Sequence, residues 1–237
     1  MIYRSPQFCI YFGDARDNIS KEIDCVPQNS PLFCHPKFSP IIQQCNVTNL
    51  IFLNQTHSAS GLIVEDSPIT PFSIDGDYLI TAQKNIGIGI MSADCLPIIF
   101  YDSKNQVIAA AHAGWKGTIA GIAPQTIHAM QEKFGTSVTD LEIFFGPSAK
   151  VCCYTVGKDF MDTIEKRLHE QIFKQESDYF YFDLPKLNSM LLQECGVDSG
   201  QINQVYNFCT MCNHQFFSYR RSGKAAGRQM TIVWLTI

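Results

Sequence analysis

The sequence predicts a mixed α/β (α+β) fold in a single domain, residues 1–237. Short apolar runs bounded by turn residues read as strands along the chain, and amphipathic helical stretches fall between some of them without regular alternation. No linker, repeat or low-complexity segment divides the 237 residues, a length that suits one large domain. Apolar residues make up 46% and charged residues 17%, ordinary for a chain with one sizeable core.

Near the N-terminus, Ile10-Tyr11-Phe12 closes a first strand and Gly13-Asp14 turns out of it. The prolines and asparagine of residues 26–40 predict loop. Residues 49–54 (NLIFLN) read as a buried strand ending in Gln55-Thr56-His57, with further strands at 62–64, 78–81 and 86–91. Gly87 and Gly89 in the last of these imply close approach of another backbone. Residues 116–134 read as helical, with Pro124 forcing a kink or a division into two helices. A strand follows at 141–145. Residues 158–173 carry Phe160, Ile164, Leu168 and Ile172 at fourfold spacing, which predicts an amphipathic helix. Asp183 and Pro185 open another helix, stopped by Gly196, and strands at 202–208 and 231–237 finish the chain.

The most informative stretch is MSADCLPIIFYDSKNQVIAAAHAGWKGT, residues 91–118. Two apolar runs, 96–101 and 106–111, flank the polar turn Asp102-Ser103-Lys104-Asn105, which predicts an antiparallel hairpin. Folding about the middle of that turn sets Cys95 opposite His112, and Pro97, which has no N–H, in a non-hydrogen-bonded pair with Ala110. Opposed residues share a face, so a thiolate and an imidazole there can share one metal ion. His57, at the end of another strand, is the natural third ligand. Gly114 and Gly117 permit a tight path into a helix whose N-terminus lies beside the site.

Composition narrows the partners. Net charge is −4, which argues against nucleic acid, and no apolar run reaches the roughly 20 residues that cross a membrane. The N-terminal residues lack a basic flank followed by an apolar core, so no signal peptide is read and a cytoplasmic location is expected. The ten cysteines are expected to be reduced thiols. Cys209 and Cys212 form a CxxC near His214, but no second CxxC exists to complete a four-ligand zinc site. Both these thiols and the Cys152-Cys153 pair are therefore read as ordinary packing residues.

From about residue 50 onward the chain resembles the laccase-domain family, small proteins described first as polyphenol oxidases and later as purine nucleoside phosphorylases. The resemblance rests on Gln55-Thr56-His57, Asp77-Tyr78-Leu79-Ile80-Thr81, Ala93-Asp94-Cys95-Leu96-Pro97 and His112-Ala113-Gly114-Trp115-Lys116-Gly117-Thr118. Gly146-Pro147-Ser148, Cys153-Tyr154-Thr155-Val156-Gly157 and Phe217-Ser218-Tyr219-Arg220-Arg221 continue it. It implies a four-layer α/β/β/α arrangement of mixed sheets and one metal, usually zinc, held by His57, Cys95 and His112. It also implies two activities on purine nucleosides, phosphorolysis and adenosine deamination. Gln55, Lys116 and Arg220 are assigned to substrate binding. Thr155 stands where family members usually carry Glu.

Three protein ligands leave zinc an open position, which is the pattern of catalytic sites. Zinc-activated water can attack C6 of adenine and expel ammonia, with Asp94 or Asp77 as proton carrier or as a hydrogen-bonding support. Phosphorolysis needs an anion site, for which the planar fork of Arg220 is suited. The partners expected are a nucleoside and phosphate, with the chain a monomer or homodimer. Three other readings use the same residues. Copper could take Cys95 and the histidines with Met91 as a weak axial ligand, giving a polyphenol oxidase. A multicopper oxidase, however, needs more histidines than the six here, in HxH pairs that this chain lacks. Cys95 and His112 without a metal would make a hydrolase of a cell-wall precursor or amide. A non-enzymatic zinc-stabilised binding factor is the fourth.

Overall fold

Alternation along the strands gives each sheet two apolar faces, and the two sheets share one of them. A computed structural model describes residues 1–17, 47, 49–65, 69–84 and 86–236. The five-stranded sheet contains β1 (Ile2–Arg4), β2 (Phe8–Phe12), β3 (Asn49–Ile51), β6 (Ile86–Ser92) and β14 (Gln229–Leu235), in the order β1-β2-β14-β6-β3. The six-stranded sheet contains β4 (Gly61–Val64), β5 (Tyr78–Thr81), β7 (Leu96–Asp102), β8 (Val107–Ala113), β9 (Leu141–Phe145) and β13 (Ile202–Asn203), in the order β13-β9-β7-β8-β5-β4. Both are mixed: β3 pairs parallel with β6, β4 with β5 and β13 with β9. A small third sheet joins β10 (Thr155–Val156), β12 (Tyr179–Phe182) and β11 (Phe173–Glu176).

Phe8, Ile10, Phe12, Ile88, Ile90 and Val233 of one sheet meet Leu79, Ile99, Tyr101, Ile108 and Phe144 of the other in the central core. The opposite face of the six-stranded sheet is covered by helices Ile122–Phe134 and Leu184–Glu194 through Ile122, Ile127, Met130, Leu187 and Leu192. The outer face of the five-stranded sheet buries Leu50, Phe52, Ile232 and Trp234. Among the described residues no helix belongs to the cluster on that face; the loop expected over 26–40 falls on residues that are not described.

Several expectations change in detail. Residues 116–134 form two helices, Trp115–Ile119 and Ile122–Phe134, broken at Gly121, whose φ of 82° is left-handed. Pro124 then sits in a first turn, where its missing N–H has no helical partner to lose. Residues 158–173 are not one helix. Lys158–Met161 ends early, a 3-10 turn and the short helix His169–Ile172 follow, and Phe173 begins β11. The Thr163 hydroxyl bonds back to the Phe160 carbonyl, a local alternative to helical bonding. Ile164, Leu168 and Ile172 are still buried, so the apolar spacing predicted burial correctly and helix continuity wrongly. The strand expected at 202–208 stops at Asn203. What crowds Gly87 and Gly89 is the side chains of Leu50 and Phe52, not a backbone.

The central hairpin forms with its turn one residue later than expected. The Asp102 carboxylate accepts from the N–H groups of Lys104 and Asn105 and from the Asn105 side chain. That fixes Asp102 at the end of β7, paired with Val107, and leaves Gln106 in the turn with φ of 56°. Pro97 consequently pairs with His112, not Ala110. The pair is non-hydrogen-bonded, because the His112 N–H donates to the Asp77 carbonyl and the Pro97 carbonyl accepts from Gly146. Cys95 lies just before β7, two residues out of the expected register with His112. A shift of two preserves the face.

Candidate metal centre

The preserved face brings the three candidate ligands together. One donor atom from each of His57, Cys95 and His112 lies within 4.8 Å of the others. His112 projects from the rigid end of β8 and is buried, Cys95 is half-buried, and His57 is exposed with a left-handed φ of 61°. The two imidazoles meet edge to face with centroids 4.9 Å apart.

Asp77 organises this arrangement from underneath. Its carboxylate is 2.9 Å from His112 Nδ1, which leaves Nε2 as the atom free to bind an ion. The same carboxylate accepts from the N–H groups of Thr56, His57 and Ser58 and from the hydroxyls of Thr56 and Ser58. These bonds curl the chain around the carboxylate and hold His57 in its left-handed conformation. Burial works against ionisation of Asp77, but the bonds from His112 and Ser58 outweigh it and hold the carboxyl far below the usual range. Burial likewise opposes charge on Cys95 and His112. Their mutual attraction wins, bringing the thiol down to about 6 and the imidazole up to about 9. A thiolate beside two imidazoles, one of them oriented by a carboxylate, fits a zinc or copper ion.

Gly114 makes the room. A Cβ there would stand 3.0 Å from both Cys95 Sγ and His57 Cδ2. Its φ of −71° suits any residue, so the constraint is steric and not conformational. Gly114→Ala is therefore expected to weaken metal retention by about 10-fold or more. Thermal stability should change little, because Gly114 has ordinary backbone angles and stands ahead of a helix of only five residues. A chelator-competition titration beside a melting curve checks this, and unchanged retention would show that the neighbours yield.

The assigned substrate residues divide. Gln55 has both ends of its amide bonded to the Met91 backbone, each at 2.8 Å, and so acts as a brace between 55–57 and β6. Lys116 is exposed, with Nζ 5.6 Å from the Trp115 ring centroid. Arg220 is exposed, its guanidinium 4.7 Å above the Tyr154 ring and one N–H donating to the Thr155 carbonyl. It lines an open depression of about 350 Å³ with Thr155, Val156, Gly157, Asp159, Phe160 and Tyr179. Phe160 packs edge-on to Trp115, which follows Gly114, the residue beside Cys95 and His57, so one packed contact links the depression to that segment.

Asp94 is a brace too. It has a φ of 89°, and its carboxylate accepts from Thr210, from Ser218 and from the Arg220 backbone N–H. Ala149 donates to its carbonyl. Both aspartates considered as proton carriers thus have their oxygens occupied in support. Tyr154 is a residue that sequence reasoning did not single out. It is buried between the charges of Arg220 and Cys95, and burial raises its phenol while Arg220 opposes the rise. Only its place in the CYTVG segment pointed to it.

Residues 35–236 match the family described as multi-copper polyphenol oxidoreductase laccase. The chain belongs to this laccase-domain family. The laccase-domain chain is 29% identical over 233 residues to a purine nucleoside phosphorylase of Clostridium acetobutylicum, covering 98% of this chain and 93% of the relative. Adenosine deaminase RL5, from an unknown prokaryotic organism, is 29% identical over 201 residues, or 80% of this chain and 76% of the relative. The crystal structure of the hypothetical protein YfiH of Bacillus licheniformis superposes with a TM-score of 0.81 at 26% identity, covering 98% and 97% of the two chains. Laccase-domain relatives are thus named for purine nucleoside chemistry, and this fold is shared across nearly the whole chain.

Proposed function

We propose that this chain is a zinc-dependent purine nucleoside enzyme that cleaves the glycosidic bond of adenosine, inosine or a related nucleoside with phosphate, and deaminates adenosine with water. The observation that carries this is the convergence of His57, Cys95 and His112 over the buried Asp77. The names of the relatives supply the substrate class. Zinc bound there supplies Lewis acidity and a means of activating water. Asp77 keeps His112 in the tautomer that presents Nε2, and holds His57 over the open side of the cluster. Arg220, kept flat by the Tyr154 ring, has N–H groups left to bind two phosphate oxygens at once. Phe160 and Tyr179 offer apolar surface on which a purine can lie.

Copper is less well supported, because Met91 packs on the outer face of the five-stranded sheet and cannot act as an axial ligand from there. Among the described residues no helix is long and apolar enough to cross a membrane. The described cysteines are free thiols, which suits a single domain acting in the cytoplasm as a monomer or homodimer.

Arg220→Ala is the test. It keeps the backbone N–H that bonds Asp94, so zinc content should be unchanged while the phosphate concentration needed for half-maximal phosphorolysis rises about 10- to 100-fold. Parallel loss of zinc and activity would show that Arg220 is structural, and no phosphorolysis by the wild-type protein would overturn the assignment.

A further inference from the structure

The CxxC does find its partners, across the fold and not along the chain. Sulfur atoms of Cys152, Cys153, Cys209 and Cys212 all lie within 4.8 Å of one another, and those of Cys152 and Cys212 are 3.9 Å apart. We infer that these four cysteines form a second metal site, a tetrathiolate centre suited to zinc and separate from the His57–Cys95–His112 cluster.

Geometry is the first support. Four sulfurs at about 2.3 Å from a tetrahedral ion are separated by about 3.8 Å along each edge, close to the 3.9 Å between Cys152 and Cys212 and inside the 4.8 Å that bounds all four. A disulfide would need about 2.05 Å, and all four thiols are free. Packing does not account for the cluster either, since Cys152 and Cys212 are exposed and Cys153 is half-buried. The backbone supplies the second support. Ser148 bridges Cys209 as an isolated parallel pair, with the Ser148 N–H donating to Phe208 and the Thr210 N–H to Ser148. This lays the segment before Cys152 against the one leading into Cys209. The N–H groups of Met211 and Cys212, two and three residues on, point at the Cys209 sulfur, as does that of Lys150. Amides turned toward a sulfur in this way stabilise negative charge on it, as a bound thiolate requires. Four soft donors and no carboxylate select zinc over magnesium or calcium.

The position explains what such a centre would do. Tyr154, which stacks on Arg220, follows Cys153 directly. Arg221, next to Arg220, holds the carbonyls of Thr210 and Met211 between the other two cysteines. A metal there would staple together the two loops that carry the anion-binding wall of the first site. Its role is structural, since four protein ligands leave no open position.

The measurement is zinc per chain on protein purified without added metal. Wild type should carry about two ions and the Cys95→Ser/His112→Ala protein about one. X-ray absorption on that double variant should report only sulfur neighbours, at about 2.3 Å. Nitrogen neighbours, or no zinc, would overturn the inference whatever the first site does. Cys209→Ser/Cys212→Ser should lose the tetrathiolate ion alone. Should that protein not fold, thiol labelling of the wild type decides. Protection of these four cysteines that chelator abolishes supports the site. Labelling without chelator, or protection that only a reductant removes, overturns it.

Discussion

Cys95→Ser should leave the His57–Cys95–His112 cluster without metal while the protein remains folded. Serine matches cysteine in size but replaces a soft thiolate with a hydroxyl that is a poor zinc ligand at neutral pH. Cys95 lies just outside β7 and is half-buried, so neither the hairpin nor the central core depends on its sulfur. Metal at this cluster should fall from about one ion per chain to nearly none, and adenosine turnover by about 100-fold or more. Two histidines serve as controls. His128 is exposed and pairs with Glu132 on its own helix, and His169 bonds the Ile164 carbonyl. His128→Ala and His169→Ala should change neither quantity. Metal analysis, a melting curve and an adenosine assay on the three proteins make the comparison. A zinc-replete, fully active Cys95→Ser protein would detach the chemistry from this cluster.

Asp77→Ala should harm both fold and site, unlike Cys95→Ser. Its carboxylate is buried and takes six bonds, from Thr56, His57, Ser58 and His112. Removing it strands the buried His112 ring nitrogen together with five part-buried donors, at a cost of about 3–5 kcal/mol. It also frees the His112 ring to rotate and releases the left-handed turn at His57. Metal affinity should fall about 100-fold even where the chain still folds, since outer-shell partners of this kind are commonly worth 10- to 100-fold. Asp77→Asn keeps one acceptor oxygen but turns the other position into a donor facing donors, so it should rank between wild type and alanine. Denaturant unfolding gives the first effect and competition with a chelator the second. Unchanged metal affinity in a folded Asp77→Ala protein would mean that His112 is held by packing alone.

The convergence of Cys95 and His112 was legible in the sequence because register arithmetic tolerates the error it contained. The turn at 102–105 was misplaced by one residue, since nothing in a list of polar residues says that the Asp102 side chain will cap the amides of Lys104 and Asn105. That error moves opposed partners by two, and a period-two structure keeps both residues on the same face. Helix continuity over 158–173 was less forgiving. Fourfold spacing marks which residues are buried, and a chain broken into short helical pieces around a 3-10 turn can bury them as well as one continuous helix can. The Cys152–Cys153–Cys209–Cys212 group was invisible for another reason. Zinc motifs are recognised by close spacing in the chain, whereas these pairs are joined by the Ser148–Cys209 bridge, which depends on the packing of loops distant in sequence. By type Asp77 and Asp94 could be proton carriers or hydrogen-bonding supports, and it is their bonding that favours the second role.

The place of β14 bears on how the chain reaches this structure. It lies between β2 and β6, pairing antiparallel with both, so residues 229–235 occupy the middle of a sheet whose other strands all precede residue 93. Until that segment is available, β1–β2 and β6–β3 are two separate ribbons, each with an unpaired apolar edge toward the gap. Contacts of such long sequence separation slow folding, and open edges invite pairing between chains. During synthesis, therefore, the six-stranded sheet and its helices can assemble first, and closure of the second sheet waits for the C-terminal strand. A nascent chain halted before residue 229 is the form most exposed to aggregation and most dependent on chaperones.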